Sequence, residues 1–189
     1  EIGSGLVGSE MCIRDSTPTL LSPFLFRRGV VYWKKKIERG SAFMKLSFWG
    51  AARVVTGSCH RLTACSKNIL IDCGLQQGGD VYNENELFFD ATAIDAVCVT
   101  HAHTDHSGRL PLLVKNGYKG PIYATRATCD LLKIMLLDSA RIQESDAQWK
   151  AKKNKRSGDP TEDALYMVQD ATDTLELLVP VSYGDHVEL

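Results

Sequence analysis

Three of the chain's five histidines and one carboxylate fall within six positions, in the run Thr100-His101-Ala102-His103-Thr104-Asp105-His106. Imidazole and carboxylate hold Zn²⁺ and similar borderline metals at neutral pH, so the cluster reads as a metal site. The spacing says how. His101 and His103 are two apart, so in extended backbone both side chains leave on one side and can share an ion. Asp105 and His106 are adjacent, cannot share that direction in a strand, and require the chain to turn. The pair can then serve a second ion, at the ~3.5–4 Å separation of two-metal hydrolytic sites. The competing reading is a surface loop that is His-rich by accident. It fits poorly with a cluster placed directly after an apolar run and before a helix-like segment.

The elements that must position this cluster are legible around it. Residues 45–49, 59–63 and 68–72 alternate in the manner of strands and lead, as a meander, to Asp72. Ala96-Val97-Cys98-Val99 opens a further strand over 96–100, whose unbroken apolar run predicts burial on both faces. Residues 106–115 predict a short helix starting at the metal site, which Gly117 helps to end. A strand over 122–124 follows, then a helix over 127–151 with Thr125 as its cap. Leu131, Ile134 and Met135, with Leu132 and Leu136 beside them, predict a wide apolar band packing that helix on the sheet. A last helix is expected over 161–178, capped by Thr161, with Glu162 and Asp163 in its first turn.

The motifs resemble a known family. His-x-His-x-Asp-His after a strand is the signature of the metallo-β-lactamase fold, and several further segments narrow the likeness. Gly50-Ala51-Ala52-Arg53-Val54-Val55-Thr56-Gly57-Ser58-Cys59-His60 is similar to the opening of the β-CASP branch, whose members cleave RNA and DNA. Asn68-Ile69-Leu70-Ile71-Asp72-Cys73-Gly74 resembles that branch's first motif, an aspartate at a strand end. His106-Ser107-Gly108-Arg109-Leu110-Pro111 and Gly117-Tyr118-Lys119-Gly120-Pro121-Ile122-Tyr123-Ala124-Thr125 are similar to bacterial β-CASP ribonucleases and to the cleavage nuclease of eukaryotic mRNA 3′-end processing. Asp138-Ser139-Ala140-Arg141-Ile142-Gln143-Glu144 and Pro180-Val181-Ser182-Tyr183-Gly184 fit the same pattern. The likeness runs from about Met44 to Leu189.

The resemblance implies an α/β fold, the αββα sandwich of the metallo-β-lactamase type, of which this chain holds the N-terminal part. It assigns His101 and His103 to one Zn²⁺ and Asp105 and His106 to another, two ions per complete site, with other divalent metals as alternatives. Asp72 corresponds to the aspartate that orients the site from outside the ligand set; a plain Asp-Cys-Gly turn, with Gly74 supplying the bend, is the other reading of those residues. Asp72 and Asp105 are both candidates for the general base. The implied activity is hydrolysis of RNA phosphodiester bonds on single-stranded RNA, in the cytoplasm, without a membrane, and with room for a homodimer. Family members complete the site with a later histidine, a later bridging aspartate and a final histidine. The one histidine after His106 is His186, in a polar context that reads as surface. With two ligands per ion, where a catalytic zinc takes three plus water, this polypeptide alone is expected to be inactive.

Residues 1–43 read differently from the rest. Residues 1–16 show no hydrophobic period of either kind. They resemble a translated sequencing adapter, and Lys34-Lys35-Lys36-Ile37-Glu38-Arg39-Gly40 resembles a translated ribosome-binding site just before Met44. A non-native or disordered leader over 1–43 and a partial domain over 44–189 is the expected organisation. A targeting segment built on Leu20-Leu21-Ser22-Pro23-Phe24-Leu25-Phe26 is the alternative, but that run is short and broken by Pro23. From Met44 on there are 15 basic and 19 acidic side chains, a net charge of −4. That balance argues against general nucleic-acid binding, while leaving metals to supply positive charge at a phosphate. The five of the chain's six cysteines that follow Met44 form no C-x-x-C pair and read as reduced, mostly buried thiols.

Lys150, Lys152, Lys153, Lys155 and Arg156 form a basic cluster beside Trp149. It reads as a solvated helix end, stabilising in its own right. The sharper reading makes Lys152, Lys153 and Arg156 phosphate contacts and Trp149 a stacking surface for a base. Two rivals remain for the whole: a thioesterase-type hydrolase on the same fold, and a non-catalytic RNA-binding subunit. The Gly-Ala-Ala-Arg and Gly-Arg-Leu-Pro segments weigh against the first, and the intact His-x-His-x-Asp-His against the second.

Overall fold

A computed structural model describes residues 32–36, 43–52, 54–77, 87, 89–157 and 163–189. Their strands form one seven-stranded mixed sheet in the order of the sequence. Tyr32–Lys36 (β1), Phe43–Phe48 (β2), His60–Ala64 (β3) and Lys67–Ile71 (β4) are an antiparallel meander. Ala96–Cys98 (β5), Ile122–Thr125 (β6) and Leu178–Val181 (β7) add in parallel, β6 and β7 each joined to the strand before through α-helical segments. β1 falls within the stretch set aside as a leader, so residues 32–36 do carry structure.

The helices are Thr104–Ser107 (α1), Leu110–Lys115 (α2), Arg126–Ser157 (α3) and Val168–Glu176 (α4). The single helix expected over 106–115 is two. Pro111 lacks an N–H and its ring clashes with the carbonyl four residues back, so the helix restarts with the proline in its first turn. Thr125 does cap α3, through the Thr128 N–H at 3.3 Å. α4 starts later than expected: Asp163 lies outside any helix, and Thr161 and Glu162 lie outside the described residues. The preceding segment instead buries Tyr166, whose hydroxyl meets Ser139 at 2.8 Å. The Val168 N–H is then taken by Glu144 of α3 (2.7 Å) and the Met167 N–H by Asp170 (2.8 Å). Leu178, expected to end this helix, begins β7.

Register divides the sheet's residues between two faces. Leu70, Val97 and Ile122 are cross-strand partners on one face, fully buried beneath Leu110 and Leu113 of α2 and Leu132 and Leu136 of α3. Here the apolar band of α3 is narrower than its sequence suggests. Cys129, Leu132, Leu136 and Ala140 pack inward, whereas Leu131 is 53% and Ile134 69% exposed. Leu46, Leu62 and Ile69, with Phe48, Ile71 and Tyr123, line the other face, half-buried and outside the core cluster. β5 is buried on both faces at Ala96 and Val97, as its apolar run predicts, and Cys98 on the second face is half-buried. No helix among the described residues is long and apolar enough to cross a membrane.

Gly117 ends the α2 segment with a φ of 97°, as glycine commonly does past a helix. Gly74 is needed for a different reason. A Cβ there would run into the Asp105 carbonyl and the backbone at His106, and no shift of a flexible side chain relieves an overlap with backbone. Gly74→Ala is accordingly expected to destabilise the chain by about 3 kcal/mol, the upper range for overpacking. An unchanged thermal or urea midpoint would contradict that packing.

Candidate metal centre

The histidine cluster hangs from the carboxyl end of β5. Val99 continues the ladder by one bond, its N–H meeting the Tyr123 carbonyl at 2.8 Å, and the chain then turns across the sheet edge. Two other loops hold it there. Ser58 N–H donates to the Asp105 carbonyl (2.7 Å), Cys73 N–H to that of His106 (2.8 Å), and Leu75 N–H to that of Thr104 (2.8 Å). Arg109, 2% exposed, donates through Nε to the Gly74 carbonyl, and its N–H reaches the Cys73 carbonyl at 2.9 Å. Ser107, fully buried, bonds the Ala102 and His103 carbonyls, both at 3.0 Å. The 57–59, 72–76 and 101–109 segments thus behave as one hydrogen-bonded unit.

The four expected ligands come together in this unit. His101 Nε2 and His103 Nδ1 are 3.1 Å apart, and the His101 and His106 ring centroids 4.0 Å. Two nitrogens at bonding distance from one tetrahedral zinc stand about 3.3 Å apart, so the first pair has the spacing of a shared ion. His106 Nε2 and Asp105 Oδ2 are 3.7 Å apart, with both side chains about a quarter exposed. His103 is exposed. The donor chemistry fits divalent metal, and the site opens to solvent. Its donors nevertheless assemble as pairs: among the described residues no three His, Cys, Asp or Glu side chains converge as a closed metal site requires.

Asp72 lies beneath the histidines, 2% exposed, with its backbone in the left-handed region at φ 59°. The turn expected of Gly74 is therefore made by Asp72 itself, a conformation a short polar side chain tolerates. It swings the carboxylate off the end of β4 toward the cluster. Oδ1 accepts from the Thr100 N–H (2.8 Å) and hydroxyl (2.9 Å); Oδ2 accepts from Ser58 Oγ (3.0 Å) and from His106 Nδ1 (2.7 Å). A carboxylate bonded to Nδ1 fixes the imidazole with its proton there and leaves Nε2 to face an ion. Ser58, Thr100, Ser107 and Arg109 join the site without a sequence signal of their own. All lie inside motifs already quoted, but nothing in their spacing marks which polar side chains point inward.

Further from the centre, His60 stands on β3 with its Nδ1 buried and without a hydrogen-bond partner among the described residues, and burial pushes its imidazole down from the ordinary histidine range. His186 is exposed near the C-terminal end. Lys152 and Lys153 are exposed on α3, where Lys153 Nζ sits 5.4 Å from the ring centre of Trp149, itself 64% exposed. The side chain of Arg156 lies outside the described residues.

Comparisons with known proteins follow this geometry. The sequence model described as the Metallo-beta-lactamase superfamily matches residues 52–179. Ribonuclease TTHA0252 of Thermus thermophilus is 38% identical over 147 residues, 77% of this chain and 30% of that protein. Transcription termination factor FttA of Methanocaldococcus jannaschii is 35% identical over 155 residues, 78% of this chain and 22% of that protein. The same organism's Probable RNase MJ4 is 29% identical over 143 residues, 75% of this chain and 30% of that protein. The chain thus spans less than a third of the length of these relatives.

Proposed function

The chain belongs to the metallo-beta-lactamase superfamily, and from that membership we propose that it is the N-terminal part of a β-CASP-type ribonuclease. The proposed reaction is hydrolysis of phosphodiester bonds in single-stranded RNA at a site holding two Zn²⁺. The observation that carries this reading is the pairing of donors, His101 with His103 and Asp105 with His106, over the buried Asp72. Relatives named as ribonucleases direct the choice of substrate. Divalent cations at such a site supply positive charge to a phosphate and acidify water.

The chain's own residues do the positioning. Thr100 holds His101 and Asp72 holds His106, each by Nδ1, so both Nε2 atoms point outward, and the bonds to the Asp105 and His106 carbonyls fix the turn that carries the second pair. Asp105 is the more accessible carboxylate for taking a proton from an attacking water, because every oxygen of Asp72 is already engaged. Two donors per ion fall short of the three a catalytic zinc takes. The remaining ligands are accordingly assigned to sequence beyond this chain, and the fragment by itself is expected to be inactive.

The test uses a protein of the same sequence extended past Leu189 to its relatives' length. It is expected to cleave a single-stranded RNA oligonucleotide, to stop when a chelator removes metal, and to leave a glutathione thioester intact. Thioester hydrolysis without RNA cleavage would overturn the substrate; RNA binding that persists without metal or cleavage would make it a non-catalytic subunit.

A further inference from the structure

One hydroxyl at the centre of this unit touches three of its chemical groups. Thr100 Oγ1 lies 2.9 and 3.0 Å from the two Asp72 oxygens, 3.1 Å from His101 Nδ1 and 3.3 Å from His106 Nδ1. A hydroxyl has one proton to give and lone pairs to accept with. The Asp72 carboxylate can only accept, so the Thr100 O–H donates to it and the oxygen must accept from a histidine. His106 already donates Nδ1–H to Asp72 at 2.7 Å. That leaves His101 Nδ1–H as the donor to Thr100. The two histidines are thus tied to one carboxylate by different routes, His106 directly and His101 through the threonine.

We propose that Thr100 is a positioning residue that holds His101 in the Nδ1–H tautomer and thereby turns its Nε2 lone pair toward His103. The proposal rests, for its consequence on metal, on the reading of His101 and His103 as a shared-ion pair. Its consequence on the imidazole does not. Without the hydroxyl, His101 Nδ1 loses its acceptor, and the alternative tautomer gains one, because Nε2–H can donate to His103 Nδ1 at 3.1 Å. The threonine hydroxyl therefore decides which ring donates across the His101–His103 contact, and so whether the His101 Nε2 lone pair is available to a cation. Ser58, the other hydroxyl on Asp72, donates to the carboxylate without a hydrogen bond to a histidine among the described residues, and is not expected to have this effect.

The test is made on the full chain, labelled with ¹⁵N and freed of metal. Valine at position 100 keeps the shape and the backbone N–H bond to Asp72; serine restores the hydroxyl. Long-range ¹H–¹⁵N spectra should show His101 protonated on Nδ1 in the parent and in Thr100→Ser, and on Nε2, wholly or in part, in Thr100→Val. His106 should stay Nδ1–H in all three. Titration with Co²⁺ should then show binding about 10-fold weaker in the valine variant and within about threefold of the parent in the serine variant, at the low end of the range for a residue that orients a ligand. A merely structural threonine would lower the melting temperature without moving the tautomer. An unchanged His101 tautomer in Thr100→Val overturns the proposal. If the tautomer moves but Co²⁺ binds none of the three proteins, Thr100's role stands and the metal reading fails.

Discussion

Replacing Asp72 by asparagine is expected to lower the melting temperature by about 5–10 °C and to weaken Zn²⁺ binding about 10–100-fold. The two effects have one source. The carboxylate accepts from four donors: the Thr100 N–H, the Thr100 hydroxyl, Ser58 Oγ and His106 Nδ1. An amide of the same shape keeps one acceptor oxygen and turns an NH₂ toward the remaining donors. One orientation opposes it to the Thr100 N–H, the other to Ser58 and His106. In each case a donor to the buried carboxylate loses its partner, at a cost of about 2–3 kcal/mol. Backbone strain does not contribute, because asparagine adopts the φ of 59° as readily as aspartate does. On the metal side, the His106 Nδ1 proton is no longer held by charge, so Nε2 is presented to an ion in only part of the population. Thermal unfolding of the metal-free chain reads the first effect, and competition for Zn²⁺ with a chromophoric chelator reads the second. A variant that loses stability but binds Zn²⁺ as the parent does would reduce Asp72 to a structural residue.

Why Asp72 could be named from sequence, and Thr100 could not, follows from what each kind of inference sees. A carboxylate at the end of an apolar strand breaks a pattern, and the family likeness gives it a role. A threonine before a histidine breaks no pattern, and its importance exists only where β4 and β5 lie side by side and their ends meet. The same holds for the backbone at Asp72. Glycine two positions on looked like the residue that turns, yet its lack of a side chain serves contact with the Asp105 carbonyl. Periodicity located the central strands within a residue or two, because alternation reports directly on a face. It failed where a partner far along the chain decides. Residues 168–178 keep a helical spacing of apolar positions, yet Leu178–Val181 is drawn into the sheet by parallel pairing with Ile122–Thr125. The α3 band failed for a related reason: a helix can show apolar residues on two sides, and only the sheet selects Leu132 and Leu136 over Leu131 and Ile134.

Ile69→Lys is expected to have opposite consequences in this chain and in one extended to its relatives' length. Ile69 lies mid-strand on β4, paired with Leu62 and Ala96, on the sheet face turned away from the core cluster of the described residues. Leu46, Phe48, Leu62, Ile71 and Tyr123 share that face and are half-buried. A contiguous apolar surface of this kind promotes association in water. In the present chain the lysine head can reach solvent, so the substitution should reduce self-association in sedimentation velocity and cost less than about 1 kcal/mol in unfolding. A sandwich of two sheets would place a second apolar layer over the same face. In the extended protein the lysine would then be a buried unpaired charge, destabilising by about 3–5 kcal/mol. The sign of the difference, rather than either value, identifies the face as an interior surface of the longer protein. Equal destabilisation in both would show that residues of the present chain already cover it. Tolerance in both would show that nothing in the longer protein does, and the αββα arrangement would then not be the architecture of the complete molecule.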